Sequence, residues 1–197
     1  MGMGICRRSV VAAAGLALLA AGSLTTAAWA GAITTYAADA DNQLQQGKPA
    51  EALGAFDKAE DAFAMASPLQ FRVATFAASA KGFGQYEPLT DAGFHSGDTA
   101  TVYLEPVGYG FAGGDASVTV AFTTGIEIQT AGGILLAKAD DFGRIDWQGR
   151  SRNYAIPAIV NVTLPSLKAG DYKLLLTLTD ATTTKQASVA LPFTIVE

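Results

Sequence analysis

The stretch from Leu164 to Asp180 limits the possible folds of this chain more than any other part of its sequence. Gly170-Asp171 is a turn signal, and the residues after it alternate between apolar and polar side chains as in a β-strand. The apolar face of that strand holds Tyr172, Leu174, Leu176 and Leu178, and the polar face holds Lys173, Thr177 and Thr179. The stretch therefore predicts a strand with one face buried.

The order Leu167, Gly170, Tyr172 resembles the tyrosine corner of Greek-key sandwiches. In that motif a tyrosine just inside a strand turns its hydroxyl back onto the preceding connection. The alternative is an ordinary core tyrosine that follows a tight turn. Neither interpretation gives Tyr172 a catalytic role.

Period-two alternation continues through the whole C-terminal half of the chain. The strand candidates lie at 99–104, 117–122, 126–128, 134–136, 158–164, 172–178 and 187–195. About seven short strands separated by glycine-rich turns predict an antiparallel, immunoglobulin-like β-sandwich at 87–197. Because Pro157 and Pro192 lack an N–H, we expect their strands to lie at sheet edges or to carry bulges.

The apolar period is helical from Ile33 to Phe83. A first helix, with an apolar face of Ile33, Tyr36, Ala37, Ala40 and Leu44, is predicted to stop at Gly47. A second begins at Pro49, with a face of Ala52, Phe56, Ala59 and Phe63. A third is predicted from the capping box Ser67-Pro68-Leu69-Gln70 to Phe83. The expected fold class is thus α+β, with a helical hairpin or three-helix unit at 31–86.

The first thirty residues have the pattern of a secretory signal peptide. Arg7-Arg8 give a positive start, an apolar run follows from Val10 to Ala21, and Ala28-Trp29-Ala30 predicts cleavage after Ala30. The alternative is an uncleaved membrane anchor, although the run is short and alanine-rich. The general secretory route and the twin-arginine route both stay open. We therefore expect a periplasmic or extracellular protein with no membrane attachment after cleavage.

The charge of the chain argues against nucleic-acid binding. Removing Arg7 and Arg8 with the signal peptide changes the formal net charge from −5 to −7. An acidic protein repels phosphate backbones. Cys6 is the only cysteine, so no internal disulfide is possible.

No catalytic constellation is recognisable, and we expect neither an enzyme nor a cofactor. His95 is the only histidine, which excludes a multi-histidine metal site, and its position in a turn favours a solvated side chain. No phosphate loop or nucleophile elbow is present. The pairs Asp39/Asp41 and Asp140/Asp141 lack the spacing of a calcium loop, so no metal site is predicted.

Two loops are candidates for binding. The first, Phe142 to Tyr154, combines aromatic and basic side chains typical of binding hot spots, namely Trp147, Arg144, Arg150 and Arg152. In the alternative, Trp147 covers the open end of the core and the arginines pair with Asp140, Asp141 and Asp146. The second, Glu105 to Asp115, carries Tyr109 and Phe111 among glycines; these rings either stack on a sugar or another chain, or cap the sandwich.

The helical region resembles a tetratricopeptide repeat. Gly47 stands at the turn between helices, and Ala52, Phe56 and Ala59 match the small-aromatic-small pattern of the second helix of that repeat. Gly84-Gln85-Tyr86 resembles the same turn in a following repeat. The alternative is a plain three-helix packing unit.

The mature chain as a whole resembles a group of exported bacterial proteins with a short tetratricopeptide-like unit and an immunoglobulin-like sandwich. The sandwich likeness rests on Ser96-Gly97-Asp98, Tyr103-Leu104-Glu105-Pro106, Gly108-Tyr109 and Gly170-Asp171-Tyr172. The resemblance implies architecture and no activity. Our first hypothesis is a non-enzymatic envelope protein that binds another envelope protein through its sandwich loops. The alternative is a carbohydrate-binding module that uses Trp147, Tyr109 or Phe111 to bind a glycan.

Overall fold

A computed structural model describes residues 23–114 and 116–197, with side chains from residue 31 onward. The predicted signal peptide therefore lies outside the described residues, apart from the backbone of 23–30, and so does Asp115. The predicted cleavage site falls inside the first helix. None of the helices in the described part of the chain is long and apolar enough to cross a membrane.

The chain is α+β, as the sequence predicts. Within the described residues it forms two helices followed by ten strands: α1 (Ser23–Gln45), α2 (Pro49–Ala66), β1 (Gln70–Gly82), β2 (Gln85–Pro88), β3 (Gly93–Phe94), β4 (Thr99–Val107), β5 (Ala112–Gly114), β6 (Ser117–Thr130), β7 (Leu135–Gly149), β8 (Ala158–Thr163), β9 (Gly170–Asp180) and β10 (Gln186–Ile195). One sheet has the order β2-β1-β4-β8. The other has the order β3-β10-β9-β6-β5, with β7 also paired to β6.

The first two helices form the predicted hairpin. Gly47 has φ +73°, a conformation that glycine adopts without strain, and its N–H donates to the carbonyl oxygen of Leu44 at 3.0 Å. Pro49 is the first residue of α2, where its missing N–H costs nothing. The stop at Gly47 and the restart at Pro49 are therefore confirmed.

The predicted third helix is wrong, because residues 70–82 form β1 and pair with β4. A register shift between Phe71 and Val73 inserts one extra residue into β1. The residues that pack on the core are consequently spaced unevenly, as Leu69, Phe71, Ala74 and Phe76. Leu69 and Phe76 are thereby placed on one face seven residues apart, a separation that also fits two turns of a helix. The segment nevertheless contains aromatic and β-branched residues that favour strands.

Ser67 ends a helix instead of beginning one. Its backbone N–H donates to the carbonyl oxygen of Phe63 at 2.8 Å, and Pro68 prevents the helix from continuing. Helical structure therefore ends at Ala66, and residues 70–88 belong to the four-stranded sheet. Gly84-Gln85-Tyr86, which resembles a turn between helices, lies instead at the hairpin that joins β1 and β2.

The strand count also differs from the seven predicted. The candidates at 117–122 and 126–128 are one strand, β6, with a register shift between Thr124 and Ile126 where it pairs with β7. Four strands were not expected, namely β1, β2, β3 and β5. The pairing is antiparallel except between β3 and β10, which run parallel at Phe94 and Ile195.

Both sheets contribute side chains to one hydrophobic core. Residues from the four-stranded sheet include Val102, Leu104, Val160 and Val162. Residues from the six-stranded sheet include Phe122, Leu174, Leu176, Leu178, Phe193 and Ile195. The period-two alternation predicted for these strands is thus confirmed. Phe94 is buried as well.

The prediction for the two prolines is confirmed for Pro157, whereas the strand of Pro192 is neither the last of its sheet nor bulged where it pairs with β9. Pro157 directly precedes β8, which is the last strand of its sheet. Pro192 lies inside β10, which has β9 on one side and pairs with β3 on the other only at Thr194 and Ile195. The missing N–H of each proline therefore interrupts no ladder between central strands.

The tyrosine corner is confirmed by its hydrogen bond. The hydroxyl of Tyr172, three residues into β9, donates to the carbonyl oxygen of Lys168 at 2.8 Å. The ring stacks on Phe193, with 5.6 Å between the ring centroids. Tyr172 thereby ties the connection after β8 to the start of β9.

Candidate functional site

A cleft of about 360 Å³ lies between the helical hairpin and the loops of the sheets. It has mainly apolar walls with a few charged groups, as ligand sites often do. Helical residues on one side are Tyr36, Lys58, Asp61, Ala62, Ala64 and Met65, and loop residues on the other are Tyr109, Gly110, Phe111, Arg152 and Tyr154. Three of the predicted binding residues, Tyr109, Phe111 and Arg152, therefore meet here.

The polar groups of the cleft bind one another. Asp61 of α2 accepts a hydrogen bond from the hydroxyl of Tyr154 and forms a salt bridge with Arg152. The Arg152 guanidinium also lies over the ring of Phe111, 5.8 Å from its centroid. Burial raises the pKa of Tyr154 to about 12, although the charge of Arg152 lowers it in part. Tyr154 therefore stays protonated at neutral pH and remains a donor to Asp61.

Tyr109 forms the floor of the cleft. Its side chain is buried, its hydroxyl donates to the carbonyl oxygen of Asn153 at 3.0 Å, and burial raises its pKa. Its ring meets Phe122 and Phe111 edge to face, with centroids 5.4 and 5.6 Å away. Tyr109 therefore connects the cleft to the hydrophobic core, which is the capping role considered for it.

Lys185, between β9 and β10, closes the end of α2. Its ammonium donates to four carbonyl oxygens at 2.7 to 3.1 Å, those of Ala64, Met65, Ser67 and Gly108. The first three belong to the end of α2, where backbone carbonyls have no partner within the helix and the helix dipole attracts a cation. Burial lowers the pKa of Lys185, and the charge of Asp180 opposes this effect.

The loop after β4 passes closely between α2 and the β9–β10 turn. Gly108 has φ +84°, and a side chain there would collide with the carbonyl oxygen of Pro68. The N–H of Gly110 donates to the buried carboxylate of Asp180 at 2.8 Å. We call the contacts made by Asp61, Gly108, Arg152, Tyr154 and Lys185 the joint. It fixes the hairpin to the sheets through charged and backbone hydrogen bonds.

The remaining predicted residues lie elsewhere. Most of the stretch Phe142–Tyr154 is not a loop, because β7 extends to Gly149. Arg144 and Trp147 point to opposite faces of β7, and Arg144 pairs with Asp146 at 2.8 Å, as the alternative predicts. Trp147 is half-buried against the core, and its indole lies across Gly149, where a side chain would collide with the ring.

Arg150 lies beside a second hollow, of about 480 Å³, whose other walls include Phe111 and Arg152. Within the described residues it forms no salt bridge or hydrogen bond. His95 is exposed, and its Nδ1 lies 3.6 Å from a carboxylate oxygen of Asp98. In the part of the chain that the structure describes, no group of three or more potential ligands is placed to hold a metal ion.

The outer face of the hairpin was missed by the sequence analysis. Ala52 and Ala59 face inward as predicted, but Phe56 and Phe63 of the same predicted face are each 51% exposed. The residues that α2 buries are alanines, mainly Ala52, Ala55, Ala59 and Ala62. We call the outward set, Leu44, Leu53, Phe56 and Phe63, the hairpin stripe. Because the alanines and the large residues both recur at a helical spacing, the sequence pattern alone did not show which set faces inward.

No protein-family model matches the chain, and none of the curated proteins matches it. Among solved structures it is similar to a family 123 glycoside hydrolase from Clostridium perfringens, with 11% identity, a TM-score of 0.38, and 66% of this chain aligned to 28% of that one. It is also similar to the alkylpurine DNA glycosylase AlkC from Pseudomonas fluorescens, with 9% identity, a TM-score of 0.35, and 78% of this chain aligned to 40% of that one. A third similar structure is the sporulation control protein Spo0M from Bacillus subtilis, with 8% identity, a TM-score of 0.30, and 66% of this chain aligned to 50% of that one. The chain thus spans half or less of the length of these proteins, and TM-scores below 0.5 assign it to none of their families.

Proposed function

We propose that this chain is a non-enzymatic interaction protein of the cell envelope, in which the sheets hold a helical hairpin and present it to a protein partner. The observation that carries this proposal is the hairpin stripe. Leu44 and Leu53 are 60% and 62% exposed, and Phe56 and Phe63 are about half exposed. The spacing of Leu53, Phe56 and Phe63 places them on one side of α2, and exposed apolar residues grouped in this way are typical of protein interaction sites.

The joint supports the same function, because a presented surface has to be held in a fixed position. Asp61, Arg152 and Tyr154 satisfy one another inside the cleft, and Lys185 binds the end of α2. Two charged groups of the cleft, Asp61 and Arg152, are therefore used for holding the hairpin. This differs from the sequence hypothesis, which assigned binding to the sandwich loops.

The carbohydrate alternative receives less support. A sugar ring stacks on an exposed aromatic face, whereas the ring of Tyr109 is only 1% exposed. Phe111 is in edge contact with Tyr109 and Tyr154 and has Arg152 over its ring. Trp147 is packed on the core and over Gly149.

For the architecture, we propose that the two sheets form an immunoglobulin-like sandwich. The support comes from the sheet orders, from the core that both sheets share, and from the parallel pairing of β3 with β10. The position of Tyr172 near the start of β9 matches the corner described for such domains. The support for the tetratricopeptide resemblance is limited to one helical hairpin, formed by α1 and α2.

Export rests on the sequence of residues 1–30. We expect the protein recovered from the producing cell to have the mass of a chain that begins at Gly31. Intact mass spectrometry measures this directly. A mass that still includes Met1–Ala30 would contradict the proposed location.

Photo-cross-linking and reconstitution test the proposed function. A photoreactive phenylalanine analogue placed at Phe56 should form an adduct in the producing cell, and the same analogue at Leu135 is the control because Leu135 is equally exposed, at 51%. The protein in the adduct is then identified, purified and titrated with this chain. We expect Phe56→Ser to weaken binding about tenfold or more, and Leu135→Ser to leave it unchanged. Equal effects of the two substitutions would refute the proposal.

A further inference from the structure

We infer that the hairpin stripe is a docking surface for a basic amphipathic helix of the partner. The inference rests on the proposed function and adds the chemistry of the partner. It comes from three properties of the hairpin: the geometry of the stripe, the charges beside it, and the amount of apolar surface it offers.

The stripe has the dimensions of a helix-binding site. Leu53, Phe56 and Phe63 lie on one side of α2 because they are separated by three and seven residues. At 1.5 Å per residue they extend over roughly 15 Å, about three turns of a partner helix. Large side chains at such intervals are the pattern by which an apolar helix face is received.

The charges beside the stripe are mainly acidic, although Lys58 and Arg152 line the same hollow as Asp57 and Glu60. Glu60 lies within the stripe, four residues after Phe56 and three before Phe63, and Asp57 lies four residues after Leu53. Neither carboxylate forms a hydrogen bond or salt bridge within the described residues. On α1, Asp41 lies one turn from Leu44.

The hairpin as a whole also carries a net negative charge. From residue 31 to 66 its basic residues are Lys48 and Lys58, against the acidic residues Asp39, Asp41, Glu51, Asp57, Glu60 and Asp61. Among these acidic residues, only Asp61 forms a salt bridge within the part of the chain that the structure describes, with Arg152. An apolar stripe between carboxylates is complementary to a helix whose apolar face is bordered by lysine or arginine.

A second copy of this chain fits the stripe poorly. Facing hairpins would bring Glu60 and Asp57 near their own equivalents, and like charges at an interface are unfavourable. The four half-exposed side chains offer on the order of 400 Å² per chain, against about 800 Å² per partner in a standard interface. The carboxylates beside the stripe therefore have to contribute contacts, which a basic helix provides.

The test uses two model peptides and the purified protein. Both peptides have leucines on one helical face, at about 14 residues in length, with lysines on the remaining positions of one and glutamates on those of the other. We expect the lysine peptide to bind and the glutamate peptide not to bind, by fluorescence anisotropy. Because the charges are exposed, binding of the lysine peptide should weaken as salt is raised.

Three variants locate the binding. Phe56→Ser should weaken binding of the lysine peptide about tenfold, and Glu60→Lys should weaken it about fivefold, while Leu135→Ser should leave the affinity unchanged. Melting curves confirm that each variant is folded. The inference would be overturned if the two peptides bound equally well, or if Leu135→Ser weakened binding of the lysine peptide as much as Phe56→Ser does. The inference would also be overturned if the protein formed a dimer that dissociates in the Phe56→Ser variant.

The two proposals fail separately. If the partner identified by cross-linking at Phe56 binds but the lysine peptide does not, the basic-helix inference is wrong and the proposed function stands. If the lysine peptide binds at the stripe but no partner is cross-linked there in the cell, the chemistry of the surface is right and the proposed function is wrong.

Discussion

The helical hairpin and the two sheets use large apolar side chains in opposite ways. In the sheets, Phe122, Leu174 and Leu176 are completely buried and small polar residues such as Thr177 face outward. In α2, alanines such as Ala55 and Ala62 face inward and large residues such as Phe56 face outward. Large apolar residues therefore form a core in one region and an exposed surface in the other.

The difference shows where the stability of each region comes from. A buried phenylalanine or leucine removes a large apolar area from water, whereas a buried alanine removes little more than one methyl group. The helices can approach closely through alanine, but this contact alone stabilises a short hairpin only weakly. We therefore expect the position of the hairpin to depend strongly on the joint, and the sheets to depend on their core.

The largest expected difference is between two phenylalanines. Phe122→Ala should lower the free energy of unfolding by ~3–5 kcal/mol, because it removes a fully buried ring and leaves a cavity. Phe56→Ala should change it by less than ~1 kcal/mol, because half of that ring is already in water. Urea unfolding measures both. Similar losses in the two variants would mean that the stripe is covered within the chain, which would remove the contrast between the regions.

A substitution in the joint should give the next largest loss in the free energy of unfolding. Lys185→Met keeps the aliphatic length but removes the ammonium that binds four carbonyl oxygens, so we expect a loss of ~2–3 kcal/mol. Lys168→Met, at an exposed position, is the matched control and should be neutral. Limited proteolysis shows whether the hairpin loosens first. If cleavage near Ser67 does not increase in Lys185→Met, the joint does not hold α2.

Trp147 tests the sequence hypothesis that placed binding on the stretch Phe142 to Tyr154. Because its indole is half-buried against the core, Trp147→Ala should cost about 2 kcal/mol of stability, less than a fully buried aromatic residue. The affinity for the lysine peptide should stay unchanged, since the stripe lies on the hairpin. A folded Trp147→Ala variant with much weaker binding would restore Trp147 as a binding anchor.

The sheets could be predicted from the sequence far better than the hairpin surface. Alternation, as in Leu176-Thr177-Leu178, identifies a buried strand face without any knowledge of its neighbours. For α2, by contrast, both the alanines and the large residues follow a helical period, so the sequence does not say which set faces α1. The bulge in β1 had a similar effect, because the inserted residue puts Leu69 and Phe76 on one face seven residues apart, a separation that a helix face also has. Contacts between distant residues, such as Asp61 with Arg152 or Lys185 with Ala64, left no local signal at all.

The smallest expected effect is at the tyrosine corner, and it separates a bond within the sheets from the joint. Tyr172→Phe removes only the hydroxyl that donates to Lys168, so the ring can still stack on Phe193. The acceptor is exposed and can bind water instead, which limits the expected loss to ~1 kcal/mol, the usual net value of one hydrogen bond. Because the corner lies in the sheets and not at the joint, proteolysis near Ser67 should be unaffected, unlike in Lys185→Met. Urea unfolding that gives equal stability for Tyr172→Phe and the wild type would show that the corner bond contributes nothing, and increased cleavage near Ser67 would show that the hairpin depends on the sheets beyond the joint.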